Sequence, residues 1–163
     1  MYLWVGLISA FVVAAICGKL FIPVLRRLKF GQEIREIGPS WHKTKSGTPT
    51  MGGVMFLLAV TVGTLVLFPN KEGLMLVATS LAFGAIGFVD DFIKVVKKRN
   101  LGLTVRQKTL MQLLAIIAYL GSLKLAGCSY MYIPFYGVTG DLGIFFFFLG
   151  ICLIYGATNA VNF

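Results

Sequence analysis

The sequence predicts an all-α integral membrane protein with five transmembrane helices, and three observations carry that expectation. Charged residues are only 13% of the 163, well below the roughly 25% usual in soluble domains. Apolar side chains make up 58% even without the 19 Gly, and the mean hydropathy is +0.87. The apolar residues also gather into five segments that meet or approach the roughly 20 residues needed to cross a bilayer: 3–25, 51–68, 73–89, 109–125 and 142–161. A disordered or nucleic-acid-binding tail is excluded, because such segments are poor in apolar residues and this one carries 14 Phe. A compact soluble core could not absorb so much apolar sequence at this length. No nucleic acid is expected as a partner despite the net charge of +9, because the charges gather in particular loops.

Each segment has a reading of its own. Segment 3–25 is apolar throughout, with Lys19 close enough to its end to snorkel, and no basic residue precedes it as one would precede a cleavable signal. Segments 51–68 and 73–89 are joined by the tight turn Pro69-Asn70-Lys71-Glu72-Gly73. Segment 73–89 is short, and Asp90 and Asp91 close it. Segment 109–125 ends on Lys124, a second snorkelling candidate. Between it and 142–161, Tyr and Phe alternate loosely around Pro134 and two Gly, the pattern of a small extracytoplasmic hairpin. Phe145 to Phe148 reads as a lipid-facing run. Trp4, Tyr119, Tyr130, Tyr132 and Tyr136 lie in or near span ends, where interfacial aromatics gather. Cys17, Cys128 and Cys152 are widely spaced and form no metal-ligand or redox motif. The whole of 1–163 reads as one polytopic domain.

Charge sets the orientation. Arg26, Arg27, Lys29, Arg35, Lys43 and Lys45 follow the first segment, and Lys94, Lys97, Lys98, Arg99, Arg106 and Lys108 follow the third. The positive-inside rule places both loops in the cytoplasm, with the N-terminus outside and the C-terminal end cytoplasmic.

Three polar constellations meet at that cytoplasmic face. Asp90 and Asp91 at a span end are costly, the more so at a helix C-terminus. With Lys94 and Lys98 at helical spacing they have the parts of a magnesium–phosphate site: carboxylates for a hard cation and ammoniums for phosphate oxygens. Ordinary i,i+4 ion pairing accounts for the same spacing equally well. Ahead of the second segment, Thr48 is a candidate N-cap with Pro49 at the first helical position, followed by Gly52 and Gly53. This start, with Lys43 and Lys45, suits an anion, although the Gly pair also serves tight packing. His42, the only histidine, has no partner ligand in the sequence and reads as loop surface. Asn159 and Asn162 share one face near the last segment's end, available to a ligand or to a helix terminus.

Four stretches then occur in a recognisable order. They are His42-Lys43-Thr44-Lys45-Ser46-Gly47-Thr48-Pro49-Thr50-Met51-Gly52-Gly53, Gly87-Phe88-Val89-Asp90-Asp91-Phe92-Ile93-Lys94, Asn100-Leu101-Gly102-Leu103-Thr104 with Arg106-Gln107-Lys108, and Asn159-Ala160-Val161-Asn162. Together they resemble the bacterial phospho-N-acetylmuramoyl-pentapeptide transferases of the polyprenyl-phosphate N-acetylhexosamine-1-phosphate transferase superfamily. The resemblance implies a magnesium-dependent enzyme of the inner membrane, its active site facing the cytoplasm. Such an enzyme moves phospho-N-acetylmuramoyl-pentapeptide from UDP (the donor UDP-N-acetylmuramoyl-pentapeptide) to undecaprenyl phosphate, giving lipid I and UMP in peptidoglycan synthesis.

By the same resemblance Asp90 and Asp91 are the catalytic pair and the Mg2+ ligands. Lys45, Thr50, Lys94 and Lys98 bind phosphates or nucleotide, and Asn159 and Asn162 line the nucleotide side. It implies membrane lipid as surroundings and a tendency to homodimerise. Family chains run on beyond the matched residues, through further spans that supply more aspartates and a histidine-rich loop. The expectation is therefore that this polypeptide alone does not catalyse and requires a C-terminal half. Two alternatives stay open: a sister enzyme transferring N-acetylglucosamine phosphate to the same lipid, and a non-catalytic membrane half-fold.

Overall fold

A computed structural model describes residues 2–27, 51–97 and 101–160. Among them are five helices and one two-stranded sheet: α1 (Tyr2–Arg27), α2 (Gly53–Leu67), α3 (Lys71–Val96), α4 (Val105–Leu125), β1 (Tyr132–Ile133), β2 (Gly137–Val138) and α5 (Ile144–Ala160). The protein is all-α and membrane-embedded in character, as the sequence predicts. At 1.5 Å per residue, α1, α3 and α4 are long and apolar enough to cross the roughly 30 Å hydrocarbon layer, whereas α2 and α5 are shorter apolar helices.

The chain divides into two compact units, 1–105 and 106–163. In the first, α1 packs on α2 and α2 on α3. Small residues let these backbones approach. A Cβ on Gly63 of α2 would stand 3.0 Å from the Cβ of Ala10 in α1, and one on Gly84 of α3 would run into Leu57 of α2. The α2–α3 turn is short because Asn70 caps α3, its Oδ1 accepting the Gly73 N–H at 2.8 Å.

Two helix boundaries differ from expectation. α2 begins at Gly53, beyond the Thr48-Pro49 start, with Gly52 as N-cap and no side-chain cap bond. Met51, just ahead, has φ 69°, a left-handed backbone that cannot belong to a helix begun at Pro49. α3 does not stop at Val89 but runs to Val96, so Asp90 and Asp91 lie inside the helix rather than at its end.

In the second unit, Ile116 (0% exposed), Leu120 and Phe146 form the buried centre, and Gly150 of α5 faces the Leu120 side chain of α4. This corrects the lipid-facing reading of the phenylalanine run. Phe145 and Phe148 are exposed, but Phe146 is buried and Phe147 stacks its ring under the Lys124 ammonium, 5.5 Å from its centroid. Helical periodicity turns successive residues about 100° apart, so four in a row cannot share one face.

The hairpin is present: β1 and β2 are antiparallel, with Tyr132 opposite Val138 and Ile133 opposite Gly137. Asp141 ties its base, with Oδ1 accepting from the Gly143 N–H at 2.9 Å and from the Ser129 hydroxyl at 2.7 Å. These two donors hold the Asp141 carboxyl below its ordinary 3.8. A depressed folded pKa contributes stability above the unfolded value that is lost as pH falls through the folded one. The hairpin base should therefore be unchanged from neutral pH down to about 4 and loosen only at more acid pH. Asp141→Ala should give faster amide exchange at Gly143 at neutral pH; unchanged exchange would show that the tie is not formed.

Candidate active site

The last turns of α3 carry the acidic pair. The apolar run before Asp90 builds the helix, and the Asp-Asp-Phe-Ile-Lys sequence then brings three charged groups onto neighbouring turns. Lys94 Nζ lies 2.6 Å from Asp90 Oδ2 and 3.1 Å from Asp91 Oδ1, the i,i+4 and i,i+3 pairs expected from spacing. The Asp90 side chain is largely shielded at 14% exposure, whereas Asp91 and Lys94 each stand at 37%.

A second element reaches the same carboxylate. The segment ahead of α4 folds back on α3, and the Leu103 N–H donates to Asp90 Oδ1 at 2.8 Å. Gly102 makes this approach possible, because a Cβ there would overlap the Asp90 carboxylate and stand 2.6 Å from its backbone carbonyl oxygen. Asp90 is thus held from two directions, by an ammonium on its own helix and by a backbone amide thirteen residues on.

Lys45, Thr50, Lys98 and Asn162 lie outside the described residues, as do His42 and Thr48. Asn159 is described, and its amide is engaged within the second unit. Its Nδ2 donates to Gln112 Oε1 at 3.2 Å and to the Tyr155 carbonyl at 2.9 Å, while Thr109 and Tyr155 join their hydroxyls at 3.1 Å. Gln112 is only 4% exposed, so this is a buried polar seam between α4 and α5. A double-mutant cycle of Asn159→Ala and Gln112→Ala should show a coupling of about 1 kcal/mol in detergent unfolding, the upper part of the range for hydrogen bonds between membrane helices. Zero coupling would return Asn159 to a purely ligand-facing role.

Sequence reasoning missed Leu103, Gly102 as a contact, and Gln112. A backbone amide leaves no trace in side-chain chemistry. Gln112 did leave one, as a polar residue inside an apolar span.

Among the described residues no group of three or more His, Cys, Asp or Glu gathers. Two carboxylates on adjacent residues nevertheless fit Mg2+, a hard ion commonly held by one or two carboxylates with the rest of its shell from water and substrate phosphates. A cavity of about 470 Å³ in the second unit, lined by Lys124, Ser129, Tyr130, Thr139 and Asp141 among others, shares no residue with this cluster.

The sequence matches the family described as glycosyl transferase family 4 over residues 73–163, which contain the acidic pair and the segment folded onto it. The chain belongs to glycosyl transferase family 4. Within this family it also matches signature 1 of the phospho-N-acetylmuramoyl-pentapeptide-transferases over residues 45–57. It is 49% identical over 96% of its length to the phospho-N-acetylmuramoyl-pentapeptide-transferase of Halalkalibacterium halodurans, covering 50% of that protein. It is 46% identical over 98% of its length to the protein of the same name from Desulforamulus reducens, again covering 50%. The chain thus spans about half the length of the curated relatives it matches. The family 4 match covers Asp90, Asp91, Lys94, Lys98, Asn159 and Asn162, and the signature covers Lys45 and Thr50.

Proposed function

We propose that the protein, at its native length, transfers phospho-N-acetylmuramoyl-pentapeptide from UDP to undecaprenyl phosphate, giving lipid I and UMP. The observation that carries this reading is the 49% identity, over nearly the whole chain, to a relative of that name. In the reaction an oxygen of the lipid phosphate forms a bond to the sugar-linked phosphorus of the donor. The bond from that phosphorus to the bridging oxygen breaks, and UMP leaves with the bridging oxygen. Little covalent chemistry falls to the protein, so positioning and charge neutralisation supply most of the rate.

In this reading Asp90, shielded and held at both oxygens, orients or deprotonates the lipid phosphate, and the more open Asp91 would help hold the metal and the diphosphate. Asp90 and Asp91 would hold Mg2+, which would supply neutralisation of the diphosphate charge. Lys94 restrains the two carboxylates and, with Lys45, Thr50 and Lys98, offers positive or hydrogen-bonding groups to phosphate. Asn162, and Asn159 through any capacity left by its Gln112 bond, serve the nucleotide side. The protein acts in the inner membrane with this site toward the cytoplasm, where a lipid phosphate and a soluble nucleotide can meet; the basic loops of the sequence support that orientation.

The test is the protein purified at its native length with magnesium, undecaprenyl phosphate and UDP-N-acetylmuramoyl-pentapeptide, scored by UMP release. Release with this donor is the expected result. Release only with UDP-N-acetylglucosamine would transfer the assignment to the sister activity, and release with neither would sink the transferase reading.

A further inference from the structure

We infer that Gly102 and the backbone amide of Leu103 form a positioning clamp that fixes the Asp90 carboxylate for phosphoryl transfer. The inference rests on the transferase reading and adds to it a residue pair that acts through Asp90.

The argument begins with rotation. A carboxylate on a helix surface can turn about two side-chain bonds, and a single ion pair to a flexible lysine fixes it poorly. Here the two oxygens are held separately, Oδ2 by Lys94 Nζ and Oδ1 by the Leu103 N–H. The amide belongs to the main chain and has no rotamer to lose, so it is a stiffer restraint than the Lys94 ion pair. A hydrogen bond from a neutral donor to a charged acceptor is also among the stronger kinds.

The position of Gly102 follows from the same geometry. Any side chain there would have its Cβ inside the Asp90 carboxylate and against the Asp90 carbonyl, so the segment could not lie on α3. Gly102 is absent from the positive-φ residues, so its role is space rather than backbone freedom. Helix and loop therefore meet at one residue, and that residue is the one the transferase reading makes central. Misplacing a reacting group by about 1 Å can cost on the order of 100-fold in rate.

The experiment uses the protein at its native length, purified from membrane. An ester in place of the Leu103 amide, introduced with the α-hydroxy analogue of leucine, removes the donor and leaves the side chain. Both this variant and Gly102→Ala should lower kcat for UMP release by about tenfold or more, with KM for the UDP donor within about twofold. Leu103→Ala, which keeps the N–H, should retain kcat within about threefold. Gly121→Ala, at a helical glycine with open space around it, controls for glycine replacement as such. An ester variant with unchanged kcat, or one that raises KM alone, overturns the clamp.

Amide exchange at Leu103 supplies a readout free of turnover. Exchange should be slow in the unaltered protein and clearly faster in Asp90→Ala; equal rates overturn the clamp. An unaltered protein that releases no UMP with either donor would instead defeat the transferase reading, leaving exchange alone to decide whether Asp90 is held.

Discussion

If the protein is the proposed transferase, Asp90→Asn at native length should lower UMP release by about 100-fold or more, the scale on which a positioned acid–base group contributes. The substitution is close to isosteric, and its remaining amide oxygen can still accept the Leu103 N–H, so the segment at 101–104 has reason to stay in place. What disappears is the negative charge. Lys94 Nζ, now 2.6 Å from Asp90 Oδ2, would face a neutral amide and shift toward Asp91, 3.1 Å away. The rate loss would therefore report on charge at the reacting phosphate rather than on collapse of the site. The companion measurement is thermal unfolding in detergent. The Lys94 side chain is more than a third exposed, so losing its pair should cost no more than about 1 kcal/mol. A variant that keeps its rate within tenfold would remove Asp90 from the centre of the reaction.

Gly73→Ala should be the most damaging of the small substitutions for stability, at about 2–3 kcal/mol. A Cβ at Gly73 would overlap the carbonyl oxygen of Phe68 and lie 2.9 Å from its Cβ. The obstacle is backbone, which cannot swing aside as a side chain can. Relief would require opening the turn between α2 and α3, and with it the Asn70 cap that the Gly73 N–H completes. Gly121→Ala, with open space around it, should be neutral or stabilising by up to about 1 kcal/mol through helix propensity. Detergent unfolding of both variants beside the unaltered protein is the check. Equal stability of the two would mean that the turn relaxes freely.

Much of the fold was legible because the bilayer imposes a coarse and demanding code. Among the described residues the five apolar segments became five helices, three of them long and apolar enough to cross hydrocarbon, where a chain must satisfy its own backbone hydrogen bonds. The hairpin was legible from Pro134 and the glycines near it, and it forms with Tyr136 N–H donating to the Ile133 carbonyl across the turn. Helix ends were less legible. The sequence marked the change from apolar to charged residues at Asp90, but a helix can continue past the apolar stretch, and here i,i+3 and i,i+4 pairing with Lys94 supports it to Val96.

By itself the sequence determined the membrane class, the Asp90–Asp91–Lys94 cluster and the family, because each depends on side-chain type at short spacing or on ordered motifs. Only the tertiary structure decided what completes the cluster and what Asn159 is doing. The Leu103 amide bonds Asp90 across thirteen residues, and Asn159 meets Gln112 across forty-seven. Main-chain donors are the same in every non-proline residue, and long-range partners are chosen by how elements pack. Neither is written in local spacing: the motif that contains Gly102 carries the resemblance, but the contact of Gly102 with Asp90 emerges only where the segment lies against α3.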